Sequence, residues 1–198
     1  MERQLLLWQA PKFGNDNAQA DEMAVRVLNT YWDEIAKHRS VRGGVYTGAC
    51  SLLTAGIAFG QKTGALPDGR GAGEPLGNSI GPRPGADRCG VTSMLNSVAK
   101  LPLSKGVGGT TLNVILPSRL LASDEQRRNV CALMKVFMRT GGQMAQITTA
   151  NLEELLDAQK HPEQYPDLVV RVTGFSAKFT SLSPEWQQEF LTRNFYEV

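Results

Sequence analysis

Cysteine is scarce in this sequence: Cys50, Cys89 and Cys131 stand far apart among 198 residues. An odd number at such spacing fits neither a disulfide framework nor a zinc site, so the three are read as reduced core or near-core thiols. Histidine is scarcer. His38 and His161 each fall at the end of an expected helix, where a cation complements the dipole, and neither a metal site nor a Ser-His-Asp or Cys-His arrangement is expected. Long hydrophobic runs are missing as well. The apolar stretch Leu5-Leu6-Leu7-Trp8 is too short for a signal peptide or a membrane span and is interrupted by Pro11-Lys12, so a cytoplasmic protein with no membrane partner is expected. Charge of one sign is absent too: 21 basic and 19 acidic residues give a net charge of +2 without a basic block, and no nucleic-acid partner is expected.

What is present is an ordinary globular composition, 41% hydrophobic, enough for one sizeable core. Ala24, Val27, Leu28, Tyr31 and Ile35 recur at helical spacing, which predicts a helix starting near Asn17 or Asp21 and ending before Arg42-Gly43-Gly44. Residues 45–60 are small and apolar and read as a buried segment needing neighbours on several sides. Residues 65–90 hold seven glycines and four prolines, too many for regular structure; their alternating charges argue for a packed loop tied by ion pairs. A short helix is expected over residues 92–100 and a strand over 112–116, closed by Pro117. A strong helix follows from Ser123, with a capping box through Gln126 and a Gly141-Gly142 stop. Next come a strand over 143–148, a helix capped by Thr149 and closed by Pro162, and a strand over 168–172 expected to be buried on both faces. Strand, helix, strand in this order argues a right-handed crossover and a parallel sheet. Ser183 and Pro184 then open a last helix. The fold class is α/β.

The tracts Gly69-Arg70-Gly71-Ala72-Gly73 and Gly60-Gln61-Lys62-Thr63 lack the full spacing of a dinucleotide or phosphate loop. Gly174, directly after the last strand, would by itself read as a turn glycine. Its context reads differently. The ordered series Leu66-Pro67-Asp68-Gly69-Arg70, Gly73-Glu74-Pro75-Leu76, Gly85-Ala86-Asp87, Ser97-Val98-Ala99-Lys100, Gly141-Gly142 with Gln146, Asp157-Ala158-Gln159-Lys160 and Arg171-Val172-Thr173-Gly174-Phe175-Ser176-Ala177 resembles the C-terminal region of glycyl radical enzymes of the dehydratase and lyase type. Ala10-Pro11-Lys12-Phe13-Gly14-Asn15-Asp16 and Arg42-Gly43-Gly44 resemble segments that precede the radical domain in that family.

The resemblance implies the C-terminal part of a ten-stranded α/β barrel, with residues 1–64 in the barrel region and 65–198 forming the radical domain. It implies a post-translational glycyl radical at Gly174, with Arg171, Val172, Thr173, Phe175, Ser176 and Ala177 as loop neighbours and Gln146 bordering the active site. No bound metal is implied; activation would need a radical S-adenosylmethionine activase carrying an iron–sulfur cluster. In the family the glycyl radical takes a hydrogen atom from a cysteine, and the thiyl radical then attacks a small substrate. That cysteine lies hundreds of residues upstream of the radical glycine, in a region this sequence does not contain; Cys50 falls in a segment matching family sequence after it and reads as structural. The expectation is therefore a small, radical-bearing subunit of a split lyase or dehydratase. A larger partner would supply the cysteine and base, and the substrate would be a polyol or sugar-derived phosphate such as 1,5-anhydroglucitol 6-phosphate. A repair module that replaces an oxygen-damaged C-terminus is the alternative. In lyase-type relatives the position of Phe175 usually holds tyrosine and that of Thr148 often asparagine, while the four-cysteine zinc site of anaerobic ribonucleotide reductases has no counterpart here.

Overall fold

The computed structural model describes residues 9–51, 55–172 and 174–192, together with Leu5. Its first helix, α1 (Ala18–Ala36), begins where Asn17 Oδ1 accepts from the Ala20 amide at 3.2 Å. The short α2 (Ala55–Gln61) and then α3 (Gly90–Ala99) precede strand β1 (Leu112–Leu116). Helix α4 (Asp124–Arg139) carries both hydrogen bonds of the expected Ser123–Gln126 capping box. Strand β2 (Ala145–Thr149), helix α5 (Leu152–Lys160), strands β3 (Val169–Arg171) and β4 (Ser176–Lys178) and helix α6 (Pro184–Thr192) complete the order.

The parallel pairing falls on β1 and β2, joined across α4, with Leu112 opposite Ala145 and Leu116 opposite Thr149. The third strand departs from the expected parallel sheet: β3 folds back on β4 as an antiparallel hairpin in a separate two-stranded sheet. Nor is it buried on both faces. Val170 and Val172 are buried but Val169 is exposed, the alternation of a strand covered on one side.

β1 divides two cores. Leu112, Val114 and Leu116 pack with Val91, Met94, Leu95 and Val98 of α3 and Phe137 of α4. Ile115 faces the other way, into a cluster with Leu155 and Ala158 of α5, Val170, Val172, Phe179 and Phe190. Phe179 and Phe190 meet edge to face with centroids 6.4 Å apart, an arrangement that adds to their area burial. The second core thus anchors the hairpin at both ends.

The glycine-rich loop is packed and carries ion pairs, as expected, but they are long and most of its bonding comes from Arg70. Arg83 approaches Asp68 and Glu74 only at 3.9 and 4.0 Å. Arg70 is 1% exposed. Its guanidinium donates to the carbonyls of Gly60 and Gly64 at 2.8 Å, of Thr63 and Pro75 at 3.4 Å, and of Glu74. A planar five-donor fork suits a cluster of carbonyls at the end of α2, where the helix dipole also favours a cation.

Other expectations need correction. Asn151, not Thr149, stands at the start of α5, and its side chain accepts from Ser118 rather than capping the helix. Cys89 and Cys131 are exposed rather than in or near a core; Cys50 is half-buried. Within 45–60, Val45, Tyr46 and Phe59 are more than half exposed, because no described element covers them. Against the same segment, Gly48 meets the indole of α1: an added Cβ would lie 2.1 Å from Trp32 Cε3.

The N-terminal segment is held by charge. Lys100 Nζ lies 2.5 Å from Asp16 Oδ1 and 2.7 Å from buried Asp21 Oδ2. Hydrogen bonds from Lys100 and Asn96 hold the Asp16 carboxyl below its ordinary 3.8. A carboxylate that binds protons less readily folded than unfolded contributes stability above its unfolded pKa and loses it as pH falls through the folded value. Unfolding titrations below pH 3.8 should therefore show a stability loss that is smaller in Asp16→Asn. For the loop, Arg70→Met should cost about 3 kcal/mol or more in denaturant unfolding. Arg70→Lys should recover little of it, since an ammonium cannot span the same carbonyls.

Candidate functional site

The β3–β4 hairpin pairs Val169 with Lys178, Val170 with Ala177 and Arg171 with Ser176. It closes with the Val172 amide donating to the Phe175 carbonyl at 2.9 Å. Gly174 lies in this turn with φ +74°, a left-handed conformation that costs other L-residues free energy. The position is open: a Cβ built there would meet nothing within 4 Å. Thr173 lies outside the described residues.

The structure brings Gln146 to Gly174. Its Oε1 accepts from the Gly174 amide at 2.5 Å, while its Nε2 donates to Met144 Sδ at 3.8 Å. Two residues along β2, the Thr148 hydroxyl both accepts from the Arg171 amide and donates to the Arg171 carbonyl, each at 3.1 Å. Period-two alternation puts both side chains on the same face of β2. Of the remaining loop neighbours, Val172 is buried, Arg171 Nη1 donates to Ser176 Oγ at 3.3 Å, Ala177 is half-buried and Phe175 is exposed. Gly174 is itself exposed on this chain. No described element lies over that side of the hairpin.

Across the ribbon, Asn113 stands opposite Gln146. Asn113 Nδ2 donates to Asn78 Oδ1 at 2.6 Å, and Asn78 Nδ2 donates to Glu189 Oε1 of α6 at 3.3 Å. Asn113 Oδ1 is buried and has no hydrogen-bond partner. Sequence reasoning missed this polar row, although a lone asparagine in the apolar run Leu112-Asn113-Val114-Ile115-Leu116 was the available signal. Burial pushes the Cys50 thiol above its ordinary 9.0, which keeps it protonated and suits a packing role. Among the described residues no cluster of three or more His, Cys, Asp or Glu could hold a metal ion, and no helix is long and apolar enough to cross a membrane.

What the arrangement offers chemically is an accessible α-carbon held by hydrogen bonds rather than by packing. Loss of a hydrogen there leaves a radical that the flanking amide and carbonyl can delocalise, and no side chain blocks close approach.

Comparison with known proteins follows the same lines. The family description "Glycine radical" matches residues 76–180 and "Pyruvate formate lyase-like" matches residues 2–60. Probable dehydratase YbiW of Escherichia coli (strain K12) is 39% identical over 96% of this chain and 24% of its own length. Formate acetyltransferase 1 of the same organism is 37% identical over 93% of this chain and 25% of its length. The glycerol-bound form of the B12-independent glycerol dehydratase from Clostridium butyricum superposes with a TM-score of 0.93 at 35% identity, over all of this chain and 25% of that one. The chain therefore spans about a quarter of the length of the relatives it matches.

Because nothing crowds Gly174, Gly174→Ala should fold and lose only about 1 kcal/mol, the cost of a left-handed L-residue. Denaturant unfolding of the two proteins checks this.

Proposed function

Since the "Glycine radical" match covers more than half of its residues, this chain belongs to the glycyl radical enzyme family, and we propose that Gly174 is the residue that stores the radical. The observation that carries this reading is the geometry of its turn: an open, positive-φ glycine whose amide is fixed by Gln146 and at which an added Cβ would meet nothing within 4 Å. On this reading residues 1–64 belong to the barrel region and 65–198 form the radical domain.

The chain works with a larger, cysteine-bearing partner that supplies the base and most of the substrate pocket and completes the ten-stranded barrel. A hydrogen atom moves from the partner's thiol to the Gly174 α-carbon; the S–H bond breaks, the C–H bond forms, and the odd electron is left on sulfur. The thiyl radical takes a hydrogen atom from the substrate and C–O cleavage releases the leaving oxygen with a proton; the product radical then takes the hydrogen atom back from the thiol, and the thiyl radical takes one from Gly174 to restore the glycyl radical. Arg171, Val172, Thr173, Phe175, Ser176 and Ala177 shape the loop. The radical is installed by a radical S-adenosylmethionine activase with an iron–sulfur cluster. The reading implies a small polar substrate, such as the sugar-derived 1,5-anhydroglucitol 6-phosphate. The match of residues 2–60 to the lyase-like family supports an enzyme subunit over a repair module, which would need little beyond the radical domain.

Anaerobic activation followed by electron paramagnetic resonance tests the proposal. The wild type should give a doublet from coupling to the remaining α-hydrogen, and air should then cleave the chain at Gly174, releasing residues 175–198. Gly174→Ala should give neither signal nor fragment; a doublet persisting in that variant would sink the assignment.

A further inference from the structure

We propose that Thr148 is a positioning residue that latches the Gly174 hairpin onto β2, so that the time the hairpin spends docked is set at its hydroxyl rather than at Gly174. The purpose of the latch rests on the reading of Gly174 as the radical carrier. The latch itself rests on hydrogen bonding.

Arg171 and Ser176 face each other one step from the pair Val172–Phe175, whose amide and carbonyl bond across the hairpin. In an antiparallel ladder bonded and non-bonded pairs alternate, so the Arg171 amide and carbonyl point outward, to the free edge of β3. A neighbouring strand would ordinarily take both groups. Here no ladder joins β2 to β3; the two lie in separate sheets, and one hydroxyl takes both instead. A hydroxyl has a single donor, so Thr148 is fully committed to Arg171.

Burial decides which contact dominates. Thr148 is 4% exposed, and its pairing partner Ile115 on β1 and the flanking residues of Arg171, Val170 and Val172, belong to the second core. The other clasp, from Gln146 to the Gly174 amide, is exposed and competes with water. Losing the part-buried Thr148 bonds leaves their groups unpartnered while the hairpin is docked, whereas the exposed Gln146 clasp contributes less and protects the Gly174 amide only while the hairpin stays docked. Removing the hydroxyl while keeping the shape leaves the Arg171 amide and carbonyl unpartnered only when the hairpin is docked; released, both find water. Thr148→Val therefore favours the released hairpin, and Thr148→Ser, which keeps the hydroxyl, does not. Docking presents Gly174 to the partner's cysteine, and release presents its α-hydrogen to the activase. Thr148 thereby sets the balance between using the radical and installing it.

Hydrogen exchange resolved to single amides on the full chain tests this. The informative amide is that of Gly174, which bonds to Gln146 and not to Thr148. In Thr148→Val its exchange should rise on the order of tenfold, while Val114 and Leu116 on β1 keep wild-type rates and Thr148→Ser behaves as wild type. Unchanged exchange at Gly174 in Thr148→Val would overturn the proposal. So would equal effects of serine and valine, or a parallel rise at Val114 and Leu116, which would mark a general loss of the fold. The paramagnetic resonance experiment fails separately: no doublet with this exchange pattern intact would remove Gly174 as the radical carrier and leave the latch standing.

Discussion

On the proposed reading Gly174 reacts at its own α-carbon, and such a residue cannot be positioned as a side chain is. Packing against that atom would block the group that must reach it, and a Cβ would both obstruct approach and disfavour the conformation. The structure meets this constraint by fixing what lies around Gly174 instead. The amide is held by Gln146, the turn is closed between Val172 and Phe175, and the strand leading into it is held through Arg171 by Thr148. Among the described residues, nothing would meet a Cβ added at the glycine.

The two-core layout follows from the same need. β1 sends Leu112, Val114 and Leu116 into one cluster and Ile115 into the other, so a single strand keeps both in register. The second cluster grips the hairpin at Val170 and Val172 on one side and at Phe179 on the other. Only the turn between them projects beyond apolar cover. A loop anchored at both bases and free at its tip can be placed accurately and still move as a unit, which is the usual design of gating segments. The Arg70 hub does a related task at a distance, giving a segment without helix or strand a fixed shape by satisfying carbonyls that would otherwise need water.

Much of this was legible in the sequence where the signal is local. Asn17, Ser123 with Gln126, and Pro117 mark element ends through bonds formed within a few residues, and the helical periodicities were recovered with them. What failed was set by tertiary partners. The run Leu168-Val169-Val170 promised two covered faces, but no described element packs over the Val169 side, so that face stays open. Thr149 looked like a helix cap, whereas Asn151 holds the position and turns to Ser118. The alternating charges of the glycine-rich loop pointed to its ion pairs, but backbone carbonyls, the main partners of Arg70, leave no mark in a sequence. Gln146 entered through family resemblance alone. The bonding of Thr148 to Arg171 could not be read beforehand, since it joins positions with no local pattern between them.

The exposed apolar side chains complete the logic. Val45, Tyr46 and Phe59 in the first part of the chain and Phe175 beside Gly174 are each about half exposed or more. Isolated exposed apolar residues are normal on a protein surface. Others, such as Val107, Val136 and Val169, are spread along the chain, but Phe175 stands directly beside the turn proposed to carry the radical. A glycyl radical has to be kept from water and oxidants while remaining reachable by a thiol, so some apolar cover must close over that turn. If the cover belonged to this chain, the radical could be protected without a partner but could not be used. On the proposed two-component reading the cover belongs to the cysteine-bearing partner, which makes protection and use the same event and leaves to the proposed Thr148 latch the separate question of when the turn is released.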